Sequence, residues 1–91
     1  MDRIVAAEPR LNYRLWIRFG GGAEGEVDLS HLVGRGVFDK WRDPAEFNRV
    51  TVDPATGTVC WPGNIDLDPD VLFSRLTGAP LPGSLAANSR T

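Results

Sequence analysis

Two runs of alternating residues, separated by three glycines, restrict what this chain can fold into more than any other feature. In residues 13–19, Tyr13, Leu15, Ile17 and Phe19 fall on one side and Arg14, Trp16 and Arg18 on the other. A period of two marks a strand with one buried face and one wet face. After Gly20-Gly21-Gly22, residues 23–29 alternate again, with Glu24, Glu26 and Asp28 opposed to Val27 and Leu29. A slip of one residue would turn a strand's whole apolar set to the wrong side, so facing pairs must match in kind. A three-glycine loop meets this condition. It sets Arg18 opposite Glu24, Trp16 opposite Glu26, Arg14 opposite Asp28, Leu15 opposite Val27 and Tyr13 opposite Leu29. A two-residue loop would face Leu15 with Glu26 and is rejected. Glycine suits the positive φ angles of such a loop.

Ahead of this hairpin, the apolar run at residues 4–7 reads as a first strand. Pro9 cannot donate to a ladder, so the strand stops near it or lies at a sheet edge. After the hairpin, Ser30 is placed to cap a short helical turn that Gly34 ends. Phe38 and Trp41 meet at i, i+3 on another turn. Asp43-Pro44-Ala45-Glu46 joins an acidic cap to a first-turn proline and a glutamate at the third position, which predicts a helical turn anchored by Phe47. A second hairpin turns at Pro54-Ala55-Thr56-Gly57 and sets Val52 opposite Val59 and Val50 opposite Trp61. Past the Pro62-Gly63-Asn64 turn lies the clearest helix. Asp68 is its cap, Pro69 its first residue, and Leu72, Phe73 and Leu76 its buried stripe; Gly78 is its stop. Leu67 and Leu72 stand at the positions of a hydrophobic staple. The expected fold class is α+β, a small single domain of two antiparallel β-hairpin units with short helical turns and a C-terminal helix. That domain spans residues 1–78, and residues 79–91 read as a flexible C-terminal tail.

Several motifs look chemical and are better explained by structure. Gly20-Gly21-Gly22-Ala23-Glu24-Gly25 matches a dinucleotide fingerprint in letters only, because an acidic strand follows it and no helix N-terminus receives a phosphate. Asn64, Asp66, Asp68 and Asp70 alternate like the start of a calcium loop. However, Pro69 and Arg75 stand where that loop needs glycine and a bidentate glutamate. His31 and Cys60 are each the single residue of their kind, too few for a zinc site. They form a thiolate pair only if the fold joins them. No catalytic, cofactor-binding or metal-binding residues are therefore assigned, and no cofactor is expected. With ten basic and twelve acidic residues and a net charge of -2, direct nucleic-acid binding is not expected. The single cysteine points to a reducing compartment. No stretch has the length and apolarity of a signal peptide or a membrane span, so a cytoplasmic location without membrane association is expected.

Two places remain as candidate sites. Trp16 shares its face with Arg14 and Arg18, a combination typical of binding hot spots, unless helical segments cover that face. The turn holding Trp61, Asn64 and Asp66 concentrates polar groups beside an aromatic ring.

The order and spacing of these residues resemble a known family. Leu15-x-Ile17-x-Phe19-Gly20, Val27-Asp28-Leu29, Leu32 and Gly36-x-Phe38 carry the first half of the likeness. Phe47-x-x-Val50-x-Val52-Asp53, Gly57-Thr58-Val59, Trp61-Pro62, Asp66-Leu67 and Leu72-Phe73 carry the second. They are similar to the family named domain of unknown function 2442, over about residues 3–77. One departure is Gly63-Asn64, where that family usually has asparagine before glycine. The resemblance implies a compact bacterial α+β domain without established enzyme activity, often encoded beside a small protein as in a toxin–antitoxin pair. Some relatives carry a helix-turn-helix after this domain; nothing in residues 79–91 resembles one, so DNA binding is not carried over.

The function expected is a non-enzymatic protein-interaction module of antitoxin-like character, with a small protein as partner and Arg14, Trp16 and Arg18 as its face. The alternative is a small-ligand-binding or catalytic domain with its site at Trp61, Asn64 and Asp66. An open strand edge and an aromatic patch would also permit a homodimer.

Overall fold

A computed structural model describes residues 3–78. The expected tail at residues 79–91 lies outside the described residues. Two three-stranded antiparallel sheets make up the α+β domain. The first contains β1 (Ile4–Arg10), β2 (Arg14–Phe19) and β3 (Glu24–Asp28) in that order. The second contains β4 (Thr51–Asp53), β5 (Thr58–Trp61) and β6 (Ile65–Leu67). Helix α1 (Pro44–Phe47) precedes the second sheet and α2 (Pro69–Thr77) follows it.

The β2–β3 register is the one that face matching demands, with Arg14↔Asp28, Leu15↔Val27, Trp16↔Glu26 and Arg18↔Glu24. Tyr13 and Leu29 extend it through a Leu29 N–H donated to the Tyr13 carbonyl at 2.9 Å. In β4–β5, Val52 faces Val59 as the four-residue turn requires, and Gly57 closes that turn at φ 71°. The ladder stops at the Thr51↔Cys60 pair, one residue short of Val50.

Each hairpin gains a third strand. β1 runs further than its apolar core and passes through Pro9, which is tolerated because β1 is an edge strand. A register shift between Ile4 and Ala6 leaves Val5 out of the ladder and exposed. β6 pairs Ile65 with Trp61 and Leu67 with Val59, so the Pro62-Gly63-Asn64 segment is a hairpin turn rather than a plain lead into a helix. Both Gly63 (φ 94°) and Asn64 (φ 63°) occupy the left-handed region there. Glycine and asparagine are the two residues that tolerate it best, so either order of the two fits this backbone.

The sheets are joined where the chain enters. The Arg3 carbonyl accepts from the Gly20 N–H of the first sheet at 2.8 Å, and the Ile4 N–H donates to the Gly57 carbonyl of the second at 3.0 Å. Between them lies a wholly apolar buried core that includes Leu15, Ile17, Phe19, Trp41, Val59 and Ile65. Tyr13, Phe38, Trp41, Phe47 and Trp61 form a continuous aromatic cluster, with Trp41 and Trp61 centroids 4.7 Å apart. The Trp61 Nε1–H donates to the Phe47 carbonyl at 2.7 Å. Trp41 Nε1, also buried, finds no acceptor among the described residues. An unmet donor of this kind costs about 1–3 kcal/mol.

Caps fix the helices. Asp43 accepts from the Ala45 N–H at 3.0 Å and Asp68 from the Asp70 N–H at 2.8 Å, each before a proline. Gly78 ends α2 in the left-handed conformation, donating to the Ser74 carbonyl at 2.8 Å. The short 3₁₀ turn Ser30–Leu32 corrects one expectation. Ser30 lies inside the turn, and Asp28 Oδ1 accepts from its N–H at 2.9 Å, so Asp28 serves where Ser30 was expected to cap.

Helix α2 packs on the inner face of the first sheet, Phe73 meeting Phe19 edge-on at 5.1 Å. Leu76 of α2 lies directly over Gly25, where an added Cβ would stand 2.7 Å from Leu76 Cδ1. The last glycine of the fingerprint-like string thus serves helix packing, not phosphate.

Candidate functional site

With α2 on the inner face, the outer face of the first sheet carries Trp16 and the charged residues. Trp16 is half-buried, and what shields it is a pair of guanidiniums. Arg10 lies 5.8 Å and Arg18 5.5 Å from its ring centroid. The acidic residues of β3 complete the surface. Arg18 Nε donates to Glu24 at 3.0 Å and Arg14 Nε to Glu26 at 3.0 Å, while Arg10 Nη1 donates to Glu8 at 2.7 Å. All these partners are exposed, so each pair is worth little to stability, about 0–1 kcal/mol. Their effect is to tether Arg10 and Arg18 beside the indole. The structure therefore brings Arg14, Trp16 and Arg18 together on one face and adds Arg10 from β1, which sequence reasoning missed. Arg10↔Arg14 and Glu8↔Trp16 register on β1 puts Arg10 there, and residues 8–10 show no alternating pattern that would have announced it.

The second candidate turn is arranged otherwise. Trp61 is buried, and its only polar atom is spent on the Phe47 carbonyl. Asp66 pairs with Cys60 on the outer side of the second sheet, while the flanking Ile65 turns inward. A shallow depression of about 280 Å³ beside Asp66 is lined by Thr58, Asp68 and Pro69, without Trp61 or Asn64. The three residues thus share a turn without sharing a space. His31 and Cys60 also have separate partners. His31 Nε2 lies 2.9 Å from Arg75 Nη2, so it accepts that hydrogen bond, since a guanidinium only donates. Cys60 Sγ sits 3.5 Å from Thr51 Oγ1.

A feature that sequence reasoning missed lies at the tip between β1 and β2. In the turn Leu11–Tyr13, Asn12 (φ 63°) and Tyr13 (φ 61°) are both left-handed although neither is glycine. For an aromatic residue this conformation costs roughly 1–2 kcal/mol and persists only where the surroundings over-determine it. Here the Tyr13 hydroxyl donates to the Trp41 carbonyl at 2.6 Å, and its ring meets Phe47 edge-on at 5.2 Å. The turn borders a cavity of about 560 Å³, within the size range of ligand pockets. Tyr13, Pro44 and Phe47 form its apolar wall, Asn12 and Asn48 flank it, and Arg10 and Arg14 reach it from the Trp16 face. Asp28 and Ser30 close one side. Hydrogen bonds from the Ser30 hydroxyl and then its amide hold the Asp28 carboxyl below the usual carboxylate range.

The family model described as protein of unknown function (DUF2442) matches residues 4–78. The chain belongs to the DUF2442 family. The match covers nearly all the described residues, both sheets and both helices of the DUF2442 domain included. No curated protein and no solved structure matches the chain. Among the described residues no three His, Cys, Asp or Glu side chains cluster as a metal would require, and no helix is long and apolar enough to cross a membrane. The DUF2442 fold thus offers two surface features with specific chemistry, the Arg–Trp–Arg face and the cavity at its Arg10–Arg14 end. Only the first has a legible sequence signal. For the second, Asn12 is the sole hint, as a residue that tolerates left-handed backbone.

Proposed function

We propose that this domain is a non-enzymatic protein-interaction module that docks a small protein partner through Arg14, Trp16 and Arg18. The observation that carries this reading is the half-exposed indole held between the Arg10 and Arg18 guanidiniums on a sheet face that turns away from α2. Tryptophan and arginine dominate binding hot spots, and an aromatic already flanked by ordered side chains loses little further freedom on docking. The gene-pair setting implied by the family resemblance makes neutralisation of a toxin encoded alongside the most specific form of this role.

The test combines Trp16→Ala with affinity capture of the natively expressed protein from its own cells. Two exposed cation–π contacts contribute about 0.5–1 kcal/mol each. The variant should therefore lose only about 1–2 kcal/mol of stability and stay folded. The wild type should retain one stoichiometric small protein and the variant should release it. Binding unchanged by the substitution, or a variant that unfolds, defeats the reading.

A further inference from the structure

The cavity beside the turn Leu11–Tyr13 has a composition that suits a peptide better than a small anion or an apolar ligand. Asn12 and Asn48 are both exposed at it, and neither carboxamide is hydrogen-bonded among the described residues. A carboxamide offers a donor and an acceptor together, the complement of a peptide unit. Between them stands an apolar wall of Tyr13, Pro44 and Phe47, and Leu11 projects at the mouth with 86% of its surface exposed. Arg10 and Arg14 bring positive charge to the same space. Arg10 is held by exposed ion pairs to Glu8 and Glu26 and by the Trp16 ring, Arg14 by exposed pairs to Glu26 and Asp28, and another carboxylate can replace an exposed pair at little cost. Asp28 faces the cavity too, which disfavours a multiply charged anion such as a phosphate relative to a single carboxylate. The wall is also pre-formed. Tyr13 is pinned by its hydroxyl to the Trp41 carbonyl at 2.6 Å, so little ordering remains to be done on binding.

We infer that this cavity seats a short extended segment of the protein partner, one that presents a bulky apolar side chain next to a carboxylate. The apolar side chain lies against Tyr13 and Pro44, the main chain is held between Asn12 and Asn48, and the carboxylate meets Arg10 and Arg14. The inference rests on the reading of the Trp16 face as a docking surface, which it continues round the Arg10–Arg14 end of the sheet.

The probe is the dipeptide N-acetyl-Phe-Asp amide, titrated into the isotope-labelled domain while backbone amide shifts are followed by NMR. The expected result is saturating shifts centred on residues 11–14 and 47–48, with a dissociation constant on the order of 1 mM. N-acetyl-Phe-Asn amide and N-acetyl-Gly-Asp amide should each bind at least about tenfold more weakly, a loss of about 1.4 kcal/mol. Leu11→Asp changes an exposed side chain, leaves the core untouched and places a like charge at the mouth; it too should weaken the dipeptide at least about tenfold. Absent shifts, shifts centred on Trp16, or equal binding of the glycine control overturn the inference. If Trp16→Ala abolishes partner binding while the dipeptide fails to bind, the docking face stands and the cavity assignment falls. If the dipeptide binds as expected while Trp16→Ala leaves partner binding intact, the cavity assignment stands and the docking face falls.

Discussion

Tyr13→Phe separates the forces that hold the left-handed turn. The substitution keeps the ring, and with it the edge-on contact to Phe47 at 5.2 Å, and removes only the hydroxyl that donates to the Trp41 carbonyl at 2.6 Å. Three terms meet at this residue. Left-handed backbone at a non-glycine residue costs roughly 1–2 kcal/mol. The aromatic pair contributes about 0.5–1.5 kcal/mol beyond its buried area. The hydrogen bond contributes about 0.5–1.5 kcal/mol net, rising to about 1–3 kcal/mol where the abandoned carbonyl has no other donor. Ring contact alone only balances the strain, so the hydroxyl tips the turn toward its observed conformation. Tyr13→Phe should therefore lower unfolding stability by about 1–2 kcal/mol in urea titrations at unchanged slope. In a domain of this size that is about 4–16 °C in Tm. Amide hydrogen exchange should also accelerate selectively across residues 11–14, since the turn loosens before the domain opens. A variant within about 0.3 kcal/mol of wild type, with exchange in the turn unchanged, would refute this account. It would mean that ring packing alone sustains the conformation.

Other perturbations follow from the same geometry. Gly57→Ala should destabilise by more than about 1 kcal/mol, because Gly57 has φ 71° and an added Cβ would stand 2.6 Å from Arg3 Cβ and 3.1 Å from its Cα; a neutral urea midpoint would contradict this. Asp68→Ala removes the cap that accepts from the Asp70 N–H at 2.8 Å and should cost about 0.5–2 kcal/mol, with fraying of α2 visible as lost exchange protection in its first turn. Asp28 titrates below its ordinary value in the folded state, so its stabilising contribution is complete above the unfolded carboxylate pKa of about 3.9 and is lost as pH falls through the lower folded value. In a carboxyl NMR titration, Ser30→Ala should move the Asp28 midpoint upward; no movement would show that Ser30 is not the cause.

Much of the fold could be read from local rules because those rules act over short spans. The three-glycine loop sets the β2–β3 register, and Asp43-Pro44 and Asp68-Pro69 mark both helix starts, as found. What escaped reading depends on distant partners or on very short elements. β6 has three residues wedged between a turn and a cap, so Ile65-Asp66-Leu67 offers too little alternation to stand out. The extension of β1 through Pro9 depends on its being an edge, a property of the sheet and not of the residues. Tyr13 is left-handed only because Trp41, 28 positions away, supplies the acceptor. The candidate site was half legible for the same reason. Alternation groups Arg14, Trp16 and Arg18, whereas Arg10 and the cavity beside it arise from strand pairing and from α1 packing nearby. The polar residues around Trp61 share a turn but no common space with its ring, because the buried indole donates to the Phe47 carbonyl.

The three tryptophans divide into two optical populations. Trp41 and Trp61 are shut in the core 4.7 Å apart, whereas Trp16 meets solvent between two guanidiniums. An aqueous quencher such as iodide should therefore reach the emission of Trp16 and leave the inner pair dark to it, while the two inner indoles, inclined at 56° to each other, should add an exciton signal to the far-ultraviolet circular dichroism. Covering of the sheet face and opening of the core thus report through separate chromophores. A partner that covers the sheet face should protect one fluorophore from iodide, and loss of the exciton band should announce the opening of the core, with no label attached to the chain.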